Sequence, residues 1–171
     1  AIKTFGREHR FKGHLLANWL NGVVRNSYIL DIVEDLIGPN ILCWSSAFFA
    51  KPAKTKTYVG YHQDAAISDL QPHDDIIHIW LALKPATIEN GCLRVLPRSH
   101  LDTILRLSPS NDDSNMLLEG SNAQPNASDD QYVNIVLEAG EISLHHHRMV
   151  HGSGPNQSSG DRLGLSLTYM T

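Results

Sequence analysis

The sequence predicts a mainly β domain with flanking helices: a helix-backed β-sandwich or jelly roll. Three observations lead there. Residues 1–37 carry apolar side chains at helical spacing. Everything after Gly38-Pro39 breaks into short apolar runs. Those runs are separated by turns rich in Gly, Pro, Asn and Asp. The 171 residues, 42% of them apolar, suit one domain with its own core. We expect a helical flank over 1–37, a β core over 38–171, and a loop or lid over 108–131 within it.

The elements follow in order. Phe11, Leu15, Leu16, Trp19, Leu20, Val23 and Val24 keep a helical period and predict a helix packed on a sheet. Ser27 is placed to cap a second helix with apolar residues Ile29, Ile32, Val33, Leu36 and Ile37, stopped by Gly38-Pro39. Strands are then expected over Ile41 to Phe49, Tyr58 to Asp64, Ile76 to Leu83 and Cys92 to Leu96. Ser108 to Gln131 is dense in Ser, Asn, Asp and Pro and reads as the loop or lid. Tyr132 to Leu137, Ile142 to His147 and Leu163 to Met170 complete the strand set.

Composition narrows the function classes. A formal net charge of −4 with no long Lys/Arg block gives no reason to expect nucleic acid or an anionic membrane as partner. No apolar run is long enough to span a bilayer. Cys43 and Cys92 lie in apolar, strand-like runs and read as reduced core residues of a cytoplasmic protein, a disulfide being the alternative. Ten histidines, most of them after residue 60, are the first sign of a metal.

In a strand, residues i and i+2 share a face, so His62 and Asp64 in Gly60-Tyr61-His62-Gln63-Asp64 point together and Gln63 points away. One more histidine makes two imidazoles and a carboxylate. That set holds one face of an octahedral metal and leaves the other open, as in non-haem Fe(II) oxygenases. Candidates for it lie in His145-His146-His147-Arg148-Met149-Val150-His151. His145, His147 and His151 share a parity that an extended strand would aim one way. His151 is the best placed, because Gly152-Ser153-Gly154-Pro155-Asn156 follows it as a turn. On spacing alone, a zinc site or a hydrogen-bonded histidine set on a solvated strand fits as well. Arg162 shifts the balance. An arginine opening an apolar strand is costly to bury without an acid, so beside an open metal it suggests a clamp for an acidic ligand. The plain alternative is a surface arginine paired with Asp161.

These residues, taken together, resemble the phytanoyl-CoA dioxygenase family of Fe(II)/2-oxoglutarate oxygenases. The resemblance runs from about Gly38 to the end of the chain. It is carried by Gly38-Pro39-Asn40-Ile41, Lys51-Pro52, His62-Gln63-Asp64, Trp80, Glu89-Asn90-Gly91-Cys92-Leu93 and Leu96-Pro97-Arg98-Ser99-His100. It ends in His151-Gly152-Ser153-Gly154-Pro155-Asn156, Ser158 and Arg162, eleven positions after His151. The resemblance implies a double-stranded β-helix, that is, a distorted, cupin-like jelly roll. It implies Fe(II) on His62, Asp64 and His151, with O2 and the cosubstrate 2-oxoglutarate used there. It also implies that Arg162 and Ser153 contact the far carboxylate of 2-oxoglutarate and that Trp80 lines its pocket, core packing being the alternative for Trp80. Related halogenases have a small residue in place of the carboxylate ligand; Asp64 therefore resembles a hydroxylase. Relatives often add a basic or polar contact from an N-terminal helix; Arg10 and His9 lie in that region, but the match there is too loose to carry the contact over to either.

The implied reaction is hydroxylation of a C–H bond of a small organic metabolite, with release of succinate and CO2. The chain lacks a basic cluster suited to coenzyme A phosphates. That favours a smaller substrate, for which an aminoalkylphosphonate such as 2-aminoethylphosphonate is the specific expectation. Tyr58, Tyr61, His145, His147 and Arg148 are candidates for the substrate mouth. The rivals from other classes are a non-catalytic metal-binding jelly roll and a zinc hydrolase. The sequence does not specify an oligomeric state.

Overall fold

The computed structural model describes residues 11–109, 112–117 and 122–171. Helices α1 (Asn18–Val24) and α2 (Ser27–Ile37) precede the strands. The larger sheet contains β1 (Leu42–Lys51), β3 (Ile76–Ala82), β8 (Ile142–His146) and β10 (Arg162–Met170), in the order β1-β10-β3-β8. The smaller contains β2 (Val59–His62), β4 (Leu93–Val95), β7 (Val133–Ile135) and β9 (His151–Ser153), in the order β2-β9-β4-β7. Every pairing in both sheets is antiparallel. The chain passes from one sheet to the other between β1 and β2, β2 and β3, β3 and β4, and again from β7 through to β10. That alternation makes the double-stranded β-helix.

Period-two alternation on the larger sheet separates core from site. Ile77 and Ile79 of β3 and Leu165, Leu167 and Tyr169 of β10 face α1 and α2, where they bury with Leu20, Val24, Ile29 and Val33. Each such side chain, once fully buried, contributes roughly 1.5–3 kcal/mol. The Tyr169 hydroxyl donates to the Val24 carbonyl at 2.9 Å and ties sheet to helix. The intervening residues His78, Trp80, Ser166 and Thr168 line the space between the sheets.

Several local expectations are corrected. The N-terminal helical stripe is broken: a 3-10 turn at Gly13–Leu15 and an extended Ala17 delay α1 to Asn18. The break throws Leu15 and Leu16 out to solvent, while Leu20 and Val24 stay in phase with the core. The cap of α2 is Asn26, whose side chain accepts from the Ile29 N–H; Ser27 is already helical. Gly38 at φ 87° ends that helix as expected, its N–H bonding the Glu34 carbonyl. The expected loop over 108–131 carries a short antiparallel pair of its own, β5 (Leu107–Ser108) with β6 (Asn122–Ala123). The loop docks at the entrance to β2 through Tyr58 N–H to Ser114 O at 3.0 Å and Met116 N–H to Tyr58 O at 2.8 Å, and on β2 itself through Gly60 N–H to Asn115 Oδ1 at 3.1 Å. Both cysteines are free. No helix among the described residues is long and apolar enough to cross a membrane. His9 and Arg10 lie outside the described residues.

Candidate active site

The site is built where β2 runs against β9, because His62 and His151 are direct partners in that register. Their rings lie 4.2 Å apart between centroids. Each ring is turned by its own backbone. His62 Nδ1 faces the Gly60 carbonyl and His151 Nδ1 faces the Met149 carbonyl, both at 2.9 Å. A carbonyl can only accept, so Nδ1 carries the hydrogen in both rings and Nε2 is the ring atom left facing Asp64 as the potential ligand. Asp64 follows β2 at the start of a 3-10 turn, with Oδ1 3.5 Å from His62 Nε2 and Oδ2 3.7 Å from His151 Nε2. Gln63 points away, accepting from Leu105 N–H and donating to the Arg148 carbonyl. The potential ligand atoms of His62, Asp64 and His151 all lie within 4.8 Å of one another.

Protonation suits a cation. Burial lowers the pKa of His151 well below its ordinary value and that of His78 to about 3, with neighbouring imidazoles adding to both. Burial alone would raise Asp64. The histidines around it outweigh that effect and hold the carboxyl well below the usual range. Neutral imidazoles and an ionised carboxylate are the forms that a divalent metal binds.

The histidine segment does not form one strand. β8 ends at His146, the chain turns at His147 and Arg148, and His151 enters the other sheet. Shared parity across 145–151 therefore carries no common direction. His145 faces the cavity. His147 bonds His78 Nε2 through Nδ1 at 2.8 Å and Ser68 Oγ through Nε2 at 3.2 Å. His78 in turn sets Nδ1 3.3 Å from Asp64 Oδ2. Asp64, His78 and His145 thus form a second close group that shares the same carboxylate. Of the expected mouth residues, Tyr58 bonds Asp112, Tyr61 packs on Tyr132 and Arg148 pairs with Asp74. Phe49, Ile67, Leu107, Met116 and Leu117 line the cavity instead, which measures about 460 Å³. That size falls within the usual range for small-molecule sites, about 300–1,000 Å³.

Arg162 is buried, 2% exposed, and Asp161 is not its partner; Asp161 accepts from Ala53 N–H and pairs with Lys84. Arg162 Nη1 donates to the Gly91 carbonyl at 2.7 Å, and its guanidinium lies 5.0 Å from the centre of the Trp80 ring. Its Nε is buried without a hydrogen-bond partner. A guanidinium in a cavity wall with an unused donor and no ion pair among the described residues fits an acidic ligand. Trp80 serves both readings made of it: it packs with Ala82, Ala86 and Cys92 and also lines the cavity. Two residues carry roles that the sequence did not disclose. Lys51 pairs with Arg162 across β1 and β10, a register that emerges only on folding. His78 shares the face of Trp80 two residues later, and that spacing was the available signal.

Two antiparallel sheets closing over a buried pair of histidines, a carboxylate and an arginine with no ion pair among the described residues define the double-stranded β-helix class, with a group inside that could hold a metal. The family model described as phytanoyl-CoA dioxygenase (PhyH) matches residues 3–164, and the chain belongs to that family. Bovine peroxisomal phytanoyl-CoA dioxygenase is 29% identical over 144 residues, covering 82% of this chain and 43% of that protein. A probable alpha-ketoglutarate-dependent hypophosphite dioxygenase of Stutzerimonas stutzeri is 28% identical over 159 residues, covering 91% of this chain and 54% of that protein. The chain thus spans about half the length of these curated relatives. Among solved structures, the non-heme monooxygenase ThoJ in its apo form superposes with a TM-score of 0.84 at 33% identity, over 94% of this chain and 58% of that one.

Proposed function

We propose that the chain forms the catalytic core of an Fe(II)/2-oxoglutarate-dependent dioxygenase that hydroxylates a C–H bond of a small organic molecule, releasing succinate and CO2. The observation that carries this reading is the buried, acid-free Arg162 facing the same cavity as His62, Asp64 and His151. Iron and 2-oxoglutarate, when bound, supply the activation of O2 and the oxidising equivalents. The residues of the chain do the rest. His62, Asp64 and His151 would hold the ion. Arg162 takes the far carboxylate of the 2-oxo acid, with Trp80 as the wall beside it. The apolar lining excludes water and brings the target C–H close.

The lining also bears on the substrate. Phe49, Ile67, Leu107, Met116 and Leu117 favour a molecule with an appreciable apolar portion. A second reading, an aminoalkylphosphonate such as 2-aminoethylphosphonate, draws support from the relative named as a hypophosphite dioxygenase. Against it, Arg162 is the sole Lys or Arg among the described lining residues.

The test is succinate formation from 2-oxoglutarate with Fe(II) and O2, stimulated by members of a metabolite panel. Wild-type turnover that Asp64→Ala abolishes is the expected outcome. Metal binding without any uptake of 2-oxoglutarate would instead support a non-catalytic jelly roll. Retained zinc with activity in the absence of O2 would support a hydrolase. If no aminophosphonate stimulates turnover, the second substrate reading falls.

A further inference from the structure

Lys51 is fully buried at the end of β1, directly opposite Arg162 in the β1–β10 register. Neither residue has an ion pair among the described residues. Two adjacent buried cations without a counter-ion are costly unless an anion completes them. Yet the ammonium of Lys51 is not itself free for a ligand. It donates to the Ser153 carbonyl at 3.1 Å, to Ser153 Oγ at 2.7 Å and to the Gly154 carbonyl. An ammonium has three hydrogens, and all three are used.

The bond to Ser153 Oγ has a directional consequence. Because the protonated lysine can only donate, the oxygen of Ser153 must accept while Lys51 is charged, and its own hydrogen is left to point elsewhere. Ser153 lines the cavity beside Arg162, and its hydroxyl has no acceptor among the described residues. We propose that Lys51 is a positioning residue for cosubstrate recognition: it fixes the Ser153 hydroxyl as a donor into the cavity, so that Ser153 and Arg162 together bind the distal carboxylate of the 2-oxo acid. This rests on the 2-oxoglutarate reading above and adds to it a residue that never touches the cosubstrate. The lysine's positive charge next to Arg162 also strengthens the field on the anion. Burial and the neighbouring guanidinium bring its pKa down to about 7, as expected for a cation that lacks its anion.

The experiment is calorimetric binding to the Mn(II)-loaded protein, comparing 2-oxoglutarate with 2-oxobutanoate, which has the same chelating end and no distal carboxylate. Lys51→Met and Ser153→Ala should each weaken 2-oxoglutarate about ten- to hundredfold, the size of one hydrogen bond to a charged group. Both should leave 2-oxobutanoate within about threefold of wild type. The double variant should be no weaker than the weaker single, because both changes remove the same oriented donor. Equal losses for both acids, or additive losses in the double variant, would reduce Lys51 to a structural anchor of β9. Unchanged 2-oxoglutarate affinity in Ser153→Ala overturns the proposal even if Lys51→Met does not fold. A wild-type protein that binds metal but no 2-oxoglutarate would instead overturn the functional reading on which this one stands.

Discussion

Asp64 stands where four imidazoles converge, and its two oxygens are not equivalent. Oδ1 faces His62, whereas Oδ2 is approached by His78 at 3.3 Å, His151 at 3.7 Å and His145 at 3.8 Å. The His78–His147–Ser68 chain behind it fixes the direction from which the carboxylate is held. We therefore expect His78→Phe to weaken Mn(II) about ten- to hundredfold, as removing an outer partner of a ligand does, and calorimetric titration of the ion checks it. At the other end of the cavity Lys51 carries a pH dependence of definite sign. With its pKa at about 7, it is charged below that pH and neutral above it. The groups facing it keep their state there: Arg162 stays charged and the buried Cys92 thiol is pushed up and stays neutral. Affinity for 2-oxoglutarate should thus decline as pH rises above about 7. Binding near that pH should take up protons, seen as a buffer-dependent binding enthalpy; a flat pH profile would contradict the lowered pKa. His62 and Asp64 were legible as a pair because two residues of extended chain fix their direction. Lys51 was not legible, because its meaning lies in a partner 111 positions away that only strand pairing supplies.

Strands β3 and β10 show how one element serves core and site at once. Their alternate residues bury against the helices on one face and line the cavity on the other. Leu167→Ala should cost about 2–5 kcal/mol of stability, read by denaturant unfolding, while leaving cosubstrate affinity in the folded fraction unchanged. Gly164 has the opposite assignment. A Cβ there would stand 2.0 Å from the Trp80 ring, so Gly164→Ala must displace the indole, whose ring centre lies 5.0 Å from the Arg162 guanidinium. We expect a loss of about 1–3 kcal/mol together with weaker 2-oxoglutarate binding. Elements of this length are readable from sequence because alternation persists over several residues. β9 has three residues, too few for any period, and its neighbours pulled the expectation towards one long histidine strand. Likewise α1 was expected to start too early, since apolar spacing continues through a backbone break that the pattern cannot sense.

At the scale of the whole molecule, the jelly-roll fold and the family were legible because many short motifs occur in a fixed order. The substrate was not legible, because the cavity walls are assembled from separate segments such as Phe49, Ile67 and Met116. The proposed metal ligands join β2 to β9 within the smaller sheet, and Arg162 brings in the larger one. Divalent metal should therefore stabilise the chain as a unit, by about 2.7 kcal/mol at a free concentration one hundred times Kd, read as a raised melting temperature. The most direct test of the proposed centre is anomalous diffraction from crystals of the Mn(II)-loaded protein with 2-oxoglutarate. The predicted result is one ion bound by His62, Asp64 and His151, with the chelating acid extending to Arg162. An ion held instead by Asp64, His78 and His145, or an acid that leaves Arg162 without an anion, would contradict it.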